Sequence, residues 1–424
     1  MKKNRILLLL LVALGACSKH HPETPPDGAV TQPLPAPAGQ PIGESEIFFI
    51  GTDGGIIESE DGIVKIDIPA GALDAETEIS IQPLHNTASH GIGQAYRLTP
   101  HGNIFRKKVT LTFNYWKYRH VLSGPQAVEI ATQDDKGFWT GIGGTVNDTA
   151  QKIVSVKSDH FSDWALIESM ELSPAVKTVS PGEAIRLQAL RYVFPVAGDD
   201  WVVPLTHPAA GSGEPLKIEA TYIRKWTLNG PGKLEPNGSE AVYTAPTSTG
   251  GSRSATISLE LSVSGSKVLL ISTIYFIEDG ISLSINGGSW QQFPAMAFTM
   301  QESNLRSLTN LRTNATDPQM VFLWPENDLD NETHYWYMHN VEDADVTFEW
   351  DDPSLDKTIV SFFFDGEKTY DSGGFLATQE LEKDGKKYLT GVFIIDKAGE
   401  IDRTNGEQIS VKRVIGTYKV QRDW

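Results

Sequence analysis

Only one cysteine stands in the 424 residues, at position 17. No internal disulfide can form, so every folded unit has to be held by packing alone. Positive charge is scarce too: 36 Lys and Arg face 54 Asp and Glu, a formal net charge of −18. That balance excludes nucleic acid as a partner, because displacing its counterions takes clustered cations. It equally argues against electrostatic adhesion to anionic lipid. No apolar run reaches the roughly 20 residues of a membrane-spanning helix, and no sustained 3.6-residue apolar period is present. What remains is ample for folding. Hydrophobic residues make up 40% and aromatics 9%, enough to bury cores rather than stay disordered, and the length suits about two to four domains.

Lys2, Lys3 and Arg5 precede the apolar stretch Ile6–Leu14, the layout of a signal peptide over residues 1–16. Leu14-Gly15-Ala16-Cys17 resembles the bacterial lipobox, in which the cysteine thiol takes a diacylglycerol and the chain is cut just before it. The resemblance implies acylation of Cys17, and the membrane reached through that lipid as a partner. Two or more acyl chains, at about 0.8 kcal/mol per buried CH₂, hold stably. Ser18 at the next position implies sorting to the outer membrane. Residues 17–44 are expected to be the lipidated cysteine and a disordered tether, since the seven prolines between Ser18 and Gly43 favour an extended chain of about 3.1 Å per residue. His20 and His21 have no further ligands nearby and are read as solvated.

From Ile47 the chain alternates apolar and polar residues in short runs broken by turn residues. Examples are Val64-Lys65-Ile66-Asp67-Ile68, Glu78–Gln82 and Val109–Tyr115. Period-two runs at this spacing predict an all-β fold of tandem antiparallel β-sandwich modules, divided at 45–169, 170–278 and 279–424. Gly54-Gly55, Ile68-Pro69-Ala70-Gly71-Ala72-Leu73 and Tyr96–Phe105, in that order, resemble motifs of the ZU-five domain, a β-sandwich of ankyrins and netrin receptors. Lys108 departs from that pattern, which has proline there. The resemblance covers about 120 residues and implies fold more than function.

His160-Phe161-Ser162 resembles the self-cleavage site of autoprocessing ZU-five proteins and of one nucleoporin domain. Carried over, the Ser162 hydroxyl attacks the Phe161 carbonyl in an N-to-O acyl shift, His160 takes the proton, and water releases the ester. Such a step needs a strained peptide. Apolar positions shift phase around His160, as a bulge would make them do. The competing reading makes Phe161 and Trp164 ordinary core residues.

In 170–278, Trp226–Gly232 and Ala241–Pro246 resemble bacterial immunoglobulin-like repeats, with a core packed around Trp226 and Tyr243. Residues Pro195–Pro215 read as a long loop. In 279–424, Tyr335, Trp336 and Tyr337 are candidates for stacking on a sugar ring. Acidic groups at Asp328, Asp330, Glu332, Asp343, Asp345, Asp351 and Asp352 lack calcium-loop spacing, so no metal or cofactor is expected. The leading expectation is a non-enzymatic, lipid-anchored envelope protein that presents binding or scaffolding modules to an envelope protein or a glycan. The alternatives are self-cleavage between Phe161 and Ser162 and a carbohydrate-binding C-terminal domain.

Overall fold

A computed structural model describes residues 34–102, 105–194, 210–263, 266–300, 305–325, 333–336, 346–366 and 368–424. Cys17, the leader, Tyr337 and the acidic positions from 328 to 345 lie outside these residues. Among the described residues the protein is all-β, with three short 3-10 turns and no α-helix.

The alternating runs become strands for the expected reason. In Val64–Ile68 and Val109–Asn114, every second side chain is buried, because successive side chains point to opposite faces of a sheet. These two strands join Gly55–Glu58, Ile153–Ser158 and Val146–Asp148 in a five-stranded sheet. It packs on the first half of an 11-stranded sheet, whose strands here are Glu46–Ile50, Thr77–Leu84, Gly91–Thr99, Asp163–Glu168 and Val128–Gln133. Val64, Ile66, Leu111, Phe113 and Val154 of the smaller sheet meet Ile79, Ile81, Tyr96, Leu98 and Trp164 of the larger one.

The large sheet does not stop at the first module. Through Trp139–Gly141 it continues into Ala210–Lys217, Ala184–Phe194, Glu240–Thr244 and Lys233–Asn237, which pack on a second small sheet to enclose the core of the second module. Ala210–Lys217 corrects part of the long loop read from the sequence. Pro215, which has no N–H to donate, is accommodated because the pairing with Ala184–Phe194 slips between Arg191 and Val193, and a bulge needs no ladder donor there. The second core is mainly aliphatic. Tyr243 is buried in it, but Trp226 is only half-buried, its indole N–H donating to the Gly238 carbonyl.

In the third module Gln408–Arg422 pairs both with Ala295–Met300 and with Lys386–Asp402. The ring through Leu305–Asn310, Gln319–Pro325, Thr347–Asp352 and Lys357–Val360 therefore closes on itself, a barrel whose core includes Phe322, Phe348, Phe393 and Tyr418.

The end of the Pro-rich segment is not free. Ala36 N donates to the Gly137 carbonyl at 2.8 Å, His85 N to Gln40 at 2.8 Å and the Thr87 hydroxyl to Pro37 at 2.8 Å. Ala36 packs over Trp139 and the alanines on the outer face of the large sheet. Proline carbonyls accept hydrogen bonds as well as any, so the described part of the tether expected over 17–44 lies along the sheet instead.

Candidate functional site

His160-Phe161-Ser162 forms the link by which the chain leaves one sheet, at Ser158, and enters the other, at Asp163. That crossing explains the phase shift seen in the sequence; the bulge itself lies further on, between Ala165 and Leu166. Phe161 is buried, its ring edge-on to Phe105 at 4.8 Å. The Phe161 carbonyl accepts from Gly102 N at 3.4 Å and the Ser162 carbonyl from Leu98 N at 3.0 Å. The Ser162 hydroxyl is paired with the Thr132 hydroxyl. His160 turns elsewhere: its Nδ1 lies 3.2 Å from Asp159 and its ring 5.7 Å from that of Trp164. The hydrogen bond from His160 holds the Asp159 carboxyl below its ordinary range, with burial opposing weakly. The Pro69–Leu73 turn and Phe105 meet beside this link: Gly71 N donates to Thr52 at 2.7 Å, Arg106 N to Ala72 at 3.1 Å and Phe105 N to Asp159 at 2.9 Å.

Of the aromatic run, the described Tyr335 and Trp336 pack inside the protein rather than forming a solvent-facing platform. Trp336 is fully buried in the barrel core, its indole N–H donating to the Ile394 carbonyl at 2.6 Å. Tyr335 meets Tyr118 of the first module edge-on at 4.9 Å, and burial pushes its hydroxyl far above the ordinary range. Its packing, not a ligand, explains its ring.

That contact belongs to a larger site the sequence reading missed. Directly after the strand Val109–Asn114, residues 116–127 run between the other two modules. Their first half meets the barrel. The Arg119 guanidinium is 2.6 Å and His120 Nε2 2.9 Å from the carboxylate of Asp396, which Arg413 approaches to 3.7 Å. Trp116 lies against Gly373, where its ring leaves no room for a side chain and where φ is +65° as well. Asp396 and Lys397 occupy a bulge, since the pairing of Lys386–Asp402 with its neighbour slips between Ile395 and Ala398. Their N–H groups are taken by the Gly373 and Ser372 carbonyls at 3.0 Å each. Burial works to raise the Asp396 carboxyl, but the His120 hydrogen bond and the charges of His120 and Arg119 outweigh it and hold it low.

The second half of the segment meets the second module. Ser123 accepts Ile271 N on its carbonyl and Leu172 N on its hydroxyl, both at 2.7 Å. Gly124 N donates to Glu168 at 2.6 Å. Around Glu168 gathers a second charged cluster. His90 Nε2 stands 3.5 Å from Glu168 and 3.2 Å from Glu171. Its ring stacks on Tyr192 at 4.0 Å, and the Tyr192 hydroxyl donates to Glu171 at 2.9 Å. Tyr192 sits at the slip between Arg191 and Val193, and His90 has φ of 54°, a conformation seldom taken by non-glycine residues. Burial works to lower the His90 pKa, but Glu168 and Glu171 outweigh it and raise it. Burial raises that of Glu168, with His90 opposing.

The second and third modules also touch, with Lys177 Nζ 2.6 Å from Gln379 and with Val176 and Tyr275 packed near Phe375 and Ile394. Among the described residues no group of three or more His, Cys, Asp or Glu is placed to hold a metal. Against models of known families and against curated proteins, the chain matches none. The signal that could have pointed to the junction is Trp116-Lys117-Tyr118-Arg119-His120, a dense aromatic and basic run in an acidic chain.

Proposed function

We propose that this is a non-enzymatic, lipid-anchored envelope protein in which a ZU-five-like first module, an immunoglobulin-like second module and a C-terminal barrel present one composite binding surface. The observation that carries the reading is the 116–127 segment. It places two neighbours on one short stretch of backbone, so the modules are joined by side-chain and ladder contacts rather than strung on linkers. Pairing of the buried charges supports a structural use for them: Arg97 holds Asp163 with two contacts of 2.8 and 2.7 Å, and His90 answers Glu168 and Glu171. Cys17 supplies the anchor, with the outer membrane as its destination. The test is metabolic labelling with a fatty-acid analogue. Label on the wild-type chain and none on Cys17→Ser is the expected result; an unlabelled wild type rejects the anchor.

Self-cleavage at Phe161–Ser162 is the second reading. It is favoured by the position of the link: Asp163–Glu168 pairs on both sides with strands that precede the cut, so the pieces would stay together. Thr132, as the hydroxyl partner of Ser162, then orients the nucleophile, while His160, expected to take its proton, has its Nδ1 at Asp159 instead. Denaturing gels of the purified chain decide: two fragments that Ser162→Ala abolishes support it, and one intact band from the wild type rejects it.

A further inference from the structure

The large sheet ends on one side at Glu46–Ile50, and among the described residues no strand pairs with the far edge of that strand. Such an edge presents unpaired N–H and C=O groups, which proteins ordinarily guard with lysine, proline or a very short strand. Most other sheet ends here are guarded in those ways. Lys233–Asn237 carries Lys233 and Pro236, Ile223–Asn229 carries Arg224 and Lys225, and Val146–Asp148 and Gln291–Phe293 are three residues each. Glu46-Ile47-Phe48-Phe49-Ile50 has neither lysine nor proline. Its one charge is drawn away, since the Glu46 carboxylate accepts from Glu60 N at 2.9 and 3.0 Å. Ile47 and Phe49 share the outer face, 57% and 64% exposed.

The backbone of this strand is polarised in a way that selects its partner. On the neighbouring strand Thr77–Leu84, Pro83 turns its carbonyl to this side and accepts from Ile42 N at 3.1 Å. Alternate residues of a strand direct their N–H and C=O to the same side, so Ile79 and Ile81 do as Pro83 does. Their partners Phe48 and Glu46 therefore bond inward, and Ile47 and Phe49 hold their N–H and C=O groups out at the free edge. We propose that this edge pairs with the same edge of a second copy, antiparallel and centred on Phe48. Ile47 then lies opposite the second copy's Phe49, and Phe49 opposite its Ile47. Each of these two pairs exchanges both of its ladder hydrogen bonds, and the four side chains form one apolar patch on a shared face. Glu46 comes to stand opposite Ile50, so no two carboxylates face each other, whereas parallel pairing would set Glu46 beside Glu46. The strand is thus complementary to itself, and a two-fold contact occupies both edges and stops at two copies. The pairing goes beyond the display reading and stands whether or not Cys17 is acylated.

Sedimentation velocity of the purified full chain tests it. At about 100 µM, a concentration suited to a weak interface of small area, the wild type should sediment toward twice the monomer mass. Added salt should strengthen the association, because two copies of net charge −18 repel each other and salt screens that repulsion. Ile47→Pro removes an N–H aimed at the free edge and no ladder bond of its own sheet; Phe49→Lys guards the edge. Each should weaken dimerisation about tenfold or more with unchanged melting curves. Val146→Lys, at another exposed apolar edge position, should leave it as it is. Amide exchange should slow with rising concentration at Ile47 and Phe49 but not at Phe48. A monomer at that concentration overturns the proposal, as does growth past the dimer or an association that salt dissolves. A dimer that Ile47→Pro and Phe49→Lys leave intact, or that Val146→Lys disrupts equally, overturns it as well.

Discussion

The two junctions that residues 116–127 make are built alike and charged oppositely. Each rests on a β-bulge that turns a side chain across a module boundary, Tyr192 on one side and Asp396 on the other. Toward the second module the buried charge is in carboxylate excess, with Glu168 and Glu171 around one imidazole. Toward the barrel it is in cation excess, with Arg119, His120 and Arg413 around one carboxylate. The first junction is also continuous in backbone, because Ala210 and Gly211 pair with Gly141 and Thr140; the contacts of 116–120 with the barrel are made by side chains. A ladder can lose one charge pair and still register. A contact made of side chains depends on the one carboxylate that its cations share.

The sharpest way to break the contrast is Asp396→Ala. It leaves three cations facing one another, and losing one partner of a buried pair costs about 3 kcal/mol or more. Denaturant unfolding should show that loss, and limited proteolysis should release the barrel; an unchanged midpoint would mean that Asp396 is not the centre of the contact. Next in size is Gly373→Ala, expected to cost about 2 kcal/mol from strain at positive φ plus displacement of the Trp116 ring. Gly366→Ala is its control, because Gly366 also has positive φ but faces open space. Equal costs for the two would remove Trp116 from the explanation.

Acidity should separate the junctions without any mutation. The folded pKa of His90 is raised above 6.5. The stability it contributes is therefore fully present below that value and lost as pH rises through the raised one. Glu168, raised above 4.5, works in the same sense, since its ionised form is the costly one. Asp396 is lowered below 3.8, so its contribution is present above that value and lost as pH falls through the lowered one. Hydrogen exchange followed by mass spectrometry should show the barrel contact opening first in acid and the Glu168 contact loosening first as pH is raised through the elevated His90 pKa. The opposite order would sink the charge comparison. The smallest effect belongs to Glu168→Gln. Its amide oxygen can still accept from Gly124 N, so stability near pH 6 should change by less than about 1 kcal/mol, while the loss on raising pH should shrink.

Much of the fold was legible in the sequence because the period of a strand is local. Val64-Lys65-Ile66-Asp67-Ile68 states its buried and exposed faces by itself. Closure of the barrel was not legible, since it depends on one strand pairing on both sides. The junctions were hidden for a related reason. His120 and Asp396 are 276 positions apart and Lys177 and Gln379 are 202 apart, and a bulge changes where a side chain aims without leaving a mark in composition. Tyr335 and Trp336 misled because an aromatic run reads the same whether it faces a ligand or a core. The placement of Ser162 was legible as a change of phase, but its hydroxyl partner, Thr132, lies on a strand 30 residues earlier.

The docking of residues 34–44 along the first module sets the geometry of any anchor at Cys17. Residues 34–44 lie along the outer face of the large sheet, so the anchor proposed at Cys17 would join the molecule on this side rather than at the barrel.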